Sequence, residues 1–261
     1  MFDYHMHSKV SFDGKDPAPA LVEAAVKAGL KEICFTDHID YFANTDHQDW
    51  VFDTQVYRRT YEGLSHPALK IRRGMEFGLK PYNAPQLRED LKRYPFDFVL
   101  GSVHFVDEVD VYFPEFWAGK TIFQAERQYL EETLACVQAH EDFDVLAHLT
   151  YISKARPHPA PRPVPYEEHR AVIEEILKEL VRKEKGLEMN SSGVDRCGDF
   201  LPYGVCFQRF RALGGRIVTI GSDAHTASRV GQYSDRACQI LKEIFGYVCT
   251  FQGRQPIFHR L

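Results

Sequence analysis

His5 and His7 stand two residues apart near the start of the chain, and similar side chains recur along it: Asp13, Asp37-His38, Glu76, His104, His148 and Asp223-Ala224-His225. Residues two apart on a β-strand point to the same side, so His5 and His7 share a face, and Asp223 and His225 repeat that spacing. Neutral imidazole and carboxylate oxygen are the donors that suit Zn, Mn or Fe(II). The six cysteines, at 34, 136, 197, 206, 238 and 249, form no C-x-x-C pair, which argues against a thiolate zinc site and leaves them as reduced core residues. A divalent ion so held lowers the pKa of its water from ~15.7 to about 7 and supplies a nucleophile for hydrolysis. Each piece alone has an ordinary reading, since a strand-end Asp or Glu commonly caps the next helix. Their joint occurrence at successive strand ends carries the inference.

Bringing such distant residues together requires a fold that collects strand ends. Phe2–His7 reads as a first strand, followed by a helix that Asp16 caps and Pro17 opens, with Leu21, Val22, Ala25 and Val26 on its apolar side and Gly29 as its stop. Lys31–Thr36 is the second strand, and Asp53 caps a helix running to Gly63. Strands at Leu69–Phe77, Asp97–Val103 and Val145–His148 alternate with helices at Ala84–Tyr94 and within Phe123–His140. Prolines at 157, 159, 161, 163 and 165 make Lys154–Pro165 an extended surface loop. The strongest helical pattern follows at Glu167–Lys185, where Val172, Ile173, Ile176, Leu177, Leu180 and Val181 form one stripe. Strands Leu187–Asn190 and Arg216–Gly221, a helix at Asp235–Phe245 and a strand at Tyr247–Phe251 complete the chain.

Alternation of about seven strand–helix units predicts a parallel α/β barrel or a doubly wound sheet, in one domain spanning residues 1–261. In a barrel the carboxyl ends of the strands face one rim, and the candidate donors fall there.

Bulk properties exclude several classes. With a net charge of −5 and no basic stripe, nucleic acid is not an expected partner. No apolar run reaches the roughly 18 residues of a membrane span. The N-terminus lacks the basic start and apolar stretch of a signal peptide, so the cytoplasm is the expected address. No G-x-G-x-x-G follows a strand, which disfavours a dinucleotide-dependent oxidoreductase.

The blocks His5-Met6-His7-Ser8, Thr36-Asp37-His38, Gly74-Met75-Glu76, Gly101-Ser102-Val103-His104, Ala147-His148 and Gly221-Ser222-Asp223-Ala224-His225 are similar, in this order, to those of the polymerase-and-histidinol-phosphatase (PHP) family. The resemblance covers nearly the whole chain and is strongest to the histidinol-phosphate phosphatase branch. It implies an irregular (β/α)7 barrel with the metal site at the C-terminal rim of the strands. It further implies one ion on His5, His7, Glu76 and Asp223, a second on Asp13, His38 and His225, and a third on Glu76, His104 and His148. Two or three divalent ions (Zn, Mn or Fe) would leave the cluster net positive and attractive to a phosphate dianion. The activity implied is hydrolysis of L-histidinol phosphate by a metal-bridging hydroxide, with Glu76, Asp223 and His225 catalytic and Asp223 or a nearby His protonating the leaving alkoxide.

For substrate binding, Arg156 and Arg196 have the guanidinium geometry that forks onto phosphate, although Val194-Asp195 shift Arg196 from the family spacing. Lys9, Ser11 and His158 are further candidates. Trp50, Trp117, Phe113 and Phe116 either wall an imidazole-shaped pocket or anchor loops. His47, His66, His140, His158, His169 and His259 read as surface residues, His158 excepted if it binds substrate. Two other functions compete: a phosphoesterase of the same type acting on another small phosphate ester or a nucleotide, and a non-catalytic metal-binding domain.

Overall fold

The computed structural model describes residues 1–41, 49–155 and 157–261. Seven parallel strands follow one another around a barrel: β1 (Phe2–Asp3), β2 (Glu32–Phe35), β3 (Lys70–Gly78), β4 (Phe98–Ser102), β5 (Val145–Leu146), β6 (Gly186–Asn190) and β7 (Val218–Gly221). The ring closes where the chain beyond β1 meets the chain beyond β7. Tyr4 N donates to Ile220 O, Asp223 N to His5 O and His7 N to Ala224 O, each at 2.8 Å. The expected first strand is therefore present as an extended segment, although regular pairing with β2 stops at Asp3.

A helix follows every strand: Ala18–Lys27, Thr54–Tyr61, Ala84–Leu91, Ile122–Ala139, Tyr166–Arg182, Gly204–Ala212 and Ser234–Ile244. Asp53 caps the second as its spacing predicts, accepting from Gln55 N at 2.7 Å and Val56 N at 2.9 Å. Asp16 does not cap the first; Pro17 takes that position, and Asp16 Oδ2 instead accepts from Ala227 N at 2.8 Å. The helix Tyr166–Arg182 buries Val172, Ile173, Ile176, Leu177 and Leu180 on one face.

Among the elements without a clear sequence signal, the two longest lie toward the end of the chain. The helix Gly204–Ala212 opens on glycine and buries only Cys206, Phe207 and Phe210, so its periodicity is faint. The expected last strand, found at Tyr247–Gln252, turns back as Gln255–Arg260 in an antiparallel hairpin. This hairpin covers the amino-terminal mouth of the barrel. There Phe251 packs on Phe98, with ring centroids 4.7 Å apart, and exchanges backbone hydrogen bonds with the Tyr4 hydroxyl. The opposite rim is left for chemistry.

Three histidines expected at the surface are buried: His140, His158 and His169. His140 Nε2 lies 2.9 Å from Lys80 O, and His169 Nε2 lies 2.9 Å from the buried Glu126 carboxylate. The proline-rich segment is likewise packed down, with Ala155, His158 and Val164 buried, because Glu126 draws in Arg162 at 3.1 Å and His158 at 3.7 Å. Among the described residues, no helix is long and apolar enough to cross a membrane. All cysteines except the half-buried Cys238 are buried and free.

Leu177 is fully buried between the helix Tyr166–Arg182 and the barrel. Leu177→Ala should destabilise the protein by about 2–5 kcal/mol, read as a lower midpoint of chemical unfolding. A shift near zero would contradict the packing described.

Candidate metal centre

Glu76 occupies the centre of the rim. It lies near the end of β3, in register with His38 of the short strand His38–Asp40 on one side and Leu100 of β4 on the other. Its carboxylate is fully buried, and its two oxygens face different sets of groups. Oε2 lies 2.9 Å from His5 Nε2, 3.3 Å from His7 Nε2 and 3.3 Å from His38 Nδ1. Oε1 lies 2.8 Å from His148 Nε2 and 3.3 Å from His104 Nε2, and accepts from Ser102 Oγ at 2.5 Å. Asp223 Oδ1 meets His5 and His7 at 3.6 and 3.4 Å, while Asp13 Oδ2 lies 2.7 Å from His225 Nε2 and 3.6 Å from His38 Nε2. The side chains predicted as metal ligands thus converge on one place.

Their donors gather into groups that could each hold a cation: His7, Asp13, His38 and His225; His5, Glu76 and His148; His5, His7 and Asp223; and His38, Asp40 and His104. Of the buried polar atoms that lack a well-aligned hydrogen bond, His7 Nε2, Asp13 Oδ1 and His38 Nδ1 lie at this cluster, while others, such as His140 Nδ1 and Thr219 Oγ1, lie elsewhere. Leaving buried polar atoms unpaired is costly, so an N/O donor set of this kind fits divalent cations.

Charge gives a second, independent test. Burial alone would raise the Glu76 pKa, yet His5 and His38 outweigh it and hold the group well below the usual carboxylate range. Asp223 behaves alike: burial opposes ionisation, and Lys154 and His5 overcome it. His38 is pushed up to about 9 by Glu76, Asp40 and Asp13 despite its burial. Such a carboxylate cluster demands positive charge, which protonated imidazoles or bound cations can supply. His7 and His148 are lowered, first by burial and then by neighbouring histidines in His7, so they favour the neutral form that ligates metal.

The rings are held from behind by carboxylates that sequence reasoning missed. Glu188 of β6 accepts from His5 Nδ1 at 2.7 Å with Oε1, and from His148 N at 2.9 Å with Oε2. Asp40 spans His104 Nδ1 at 3.0 Å and His38 Nδ1 at 3.1 Å. Space for these acids is made by glycine: a Cβ on Gly221 would collide with the Glu188 carboxylate, and one on Gly78 with that of Asp40. His148 and Asp223 adopt positive φ, 22° and 55°, a conformation that side-chain-bearing residues hold only when surroundings enforce it.

A cavity of about 240 Å³ opens onto the cluster, walled also by Tyr112, Tyr151 and Lys154. A larger one of about 490 Å³ lies beside the C-terminal hairpin, far from any of these donors, and its lining includes Lys185 and Arg216. Among the described residues that line the cavity at the cluster, Lys154 carries the lysine or arginine charge. Its Nζ donates to Asp223 Oδ2 at 2.5 Å and to Ser192 Oγ at 2.8 Å, and Asp223 raises its pKa against the effect of burial. Only its position six residues past His148 hinted at this, and a lysine beside a proline-rich loop is ordinarily solvated. Arg196 is exposed on the short helix Val194–Cys197 and does not line the cavity, because Val194-Asp195 wind the turn that directs it outward. Arg156 lies outside the described residues. Lys9 is exposed, Ser11 Oγ accepts from His38 N at 2.9 Å, and Trp117 anchors a loop by donating to Val111 O at 2.8 Å.

The chain is similar to known proteins over nearly its whole length. The PHP domain family matches residues 3–192. The histidinol-phosphatase of Lactococcus lactis subsp. lactis is 32% identical over 256 residues, covering 96% of this chain and 94% of that protein. A Thermotoga maritima protein described as a probable histidinol-phosphatase is 30% identical over the full length of both. The crystal structure of the Lactococcus lactis histidinol phosphate phosphatase, complexed with zinc, L-histidinol and phosphate, superposes with a TM-score of 0.89 at 30% identity, covering 98% of each chain.

Glu188→Gln keeps the shape but removes the charge that orients His5. Divalent-ion binding should weaken about 10–100-fold in chelator competition, with an unchanged circular-dichroism spectrum. Unaltered affinity would show that His5 needs no such support.

Proposed function

The chain belongs to the PHP domain family, and from that premise we propose that it hydrolyses L-histidinol phosphate to L-histidinol and inorganic phosphate as a metal-dependent phosphatase. The observation that carries the reading is the division of labour within Glu76, whose two oxygens serve two separate imidazole sets. One ion would be held by His5, His7, Glu76 and Asp223, a second by Asp13, His38 and His225, and a third by Glu76, His104 and His148. The donor types suit Zn, Mn or Fe(II) equally. Zinc, L-histidinol and phosphate in the Lactococcus lactis enzyme support both the cofactor class and the substrate. When bound, divalent ions lower the pKa of water and neutralise phosphoryl charge.

The chain's own residues account for the remaining demands. Lys154 carries a buried positive charge at the cavity and would clamp a non-bridging phosphoryl oxygen, the role sequence reasoning gave to Arg156 and Arg196. Asp223, held ionised by Lys154 and His5, would first accept the proton of the attacking water. As the water oxygen bonds to phosphorus and the ester P–O bond breaks, that proton passes to the leaving alkoxide. Asp223 thus donates only a proton it has just received, since Lys154 stabilises its charged form. His225, part-exposed, lies 2.7 Å from Asp13 Oδ2 and would share the second ion with it.

Phosphate release from L-histidinol phosphate, a nucleoside monophosphate and an aryl phosphate should favour the first by a wide margin. Activity should vanish with a chelator and return with Zn²⁺ or Mn²⁺. Equal rates on all three would defeat the substrate reading. Glu76→Ala should lose activity and metal together; an active, metal-replete variant would refute the bridging role. Lys154→Met should keep its metal yet lower kcat/KM about 10²–10³-fold, by analogy with loss of one transition-state donor.

A further inference from the structure

Phosphate chemistry at the cluster leaves open what receives the rest of the substrate. L-Histidinol phosphate carries an imidazole ring on a short aliphatic linker, so with the phosphate at the cluster the ring must point away from it toward the cavity opening. An aromatic ring entering from water gains most against another aromatic face that is itself partly uncovered.

Two aromatics beside the cluster differ in this respect: Tyr151 lines the cavity, and Phe12 stands next to Asp13 and His38 of its wall. Tyr151, half-buried, is the more covered: its ring packs against His148 at 4.9 Å, His104 at 5.0 Å and Tyr112 at 5.3 Å, with the Lys154 ammonium 5.0 Å from its centroid. Phe12 is open, with 52% of its surface exposed. It stacks on Trp50, with centroids 4.1 Å apart and planes at 24°, and its ring lies 5.5 Å from that of His38. Among the exposed large apolar side chains described, Phe12 alone is flanked by residues of the site. Ser11 on one side is buried and bonded to His38 N, and Asp13 on the other meets His225. Both neighbours of Phe12 are thus tied to the site by their side chains. Leaving a phenyl group in water forgoes apolar burial, and a ring held there is poised to be covered by a ligand.

Resting on the histidinol phosphate reading, we propose that Phe12, backed by Trp50, is the specificity-determining platform on which the imidazole ring of the leaving group stacks. The same face suits an imidazolium, because a cation over an aromatic ring is attracted by its quadrupole. The platform acts on binding of the leaving group and touches no atom that changes bonding, so its loss appears mainly in KM.

The test compares L-histidinol phosphate with O-phosphoethanolamine, which keeps the phosphoester and the amine but lacks the ring. In Phe12→Ala and Phe12→Leu, both reconstituted with metal and checked for full metal content, KM for L-histidinol phosphate should rise roughly five- to tenfold with kcat within about twofold. The selectivity ratio, kcat/KM for histidinol phosphate over that for phosphoethanolamine, should fall by a similar factor, less in Phe12→Tyr. A ratio unmoved in both the Ala and Leu variants, while the parent enzyme favours histidinol phosphate, would overturn the platform and leave the functional reading intact. A parent enzyme that releases no phosphate from histidinol phosphate would overturn both.

Discussion

A carboxylate with no access to water survives as an anion only if positive charge or hydrogen-bond donors surround it, and Glu76 is such a carboxylate. Imidazoles reach it from the ends of β1, β4 and β5 and from the strand His38–Asp40, and the Ser102 hydroxyl completes the shell. Much of the surrounding architecture follows from that requirement. The rings have to be aimed, so Glu188 and Asp40 stand behind them. Those acids need room, so Gly221 and Gly78 carry no Cβ where they pass. His148 and Asp223 take backbone conformations that cost energy, and the ladder closing β1 onto the chain beyond β7 holds Asp223 in place.

The two ends of the barrel have opposite characters. At the amino-terminal mouth the hairpin Tyr247–Gln252/Gln255–Arg260 seals the interior with Phe251 against Tyr4 and Phe98, and the strand starts are fastened by pairs such as Arg254 with Asp144. At the carboxyl end the chain leaves charged groups facing a cavity.

Within the rim, reactivity and recognition draw on different residues. The Lys154–Asp223–Ser192 contacts set the protonation of the carboxylate at the cluster and present a cation beside it. Phe12 and Trp50 lie on the Asp13–His38 side and contribute no charge at all. Changes in leaving-group preference among proteins with the same donor set can then arise at the rim without disturbing the centre.

Types and spacings in the sequence already named the side chains that the fold brings together as candidate donors, the alternation of strands and helices and the capping by Asp53, because two-residue and helical periodicities are local properties. The same reading erred on His140, His158 and His169, and it saw neither Glu188, Asp40 nor Lys154 as part of the site. Each of these depends on a partner far away in the chain: Lys80 for His140, Glu126 for His158 and His169, His5 for Glu188, Asp223 for Lys154. A charged residue looks solvated until the fold supplies its counterpart, and an arginine such as Arg196 looks available until a helical turn carries it outward. Only the tertiary structure, by deciding which distant groups share a low-dielectric space, separated the side chains that meet at the cluster from those that merely resemble them.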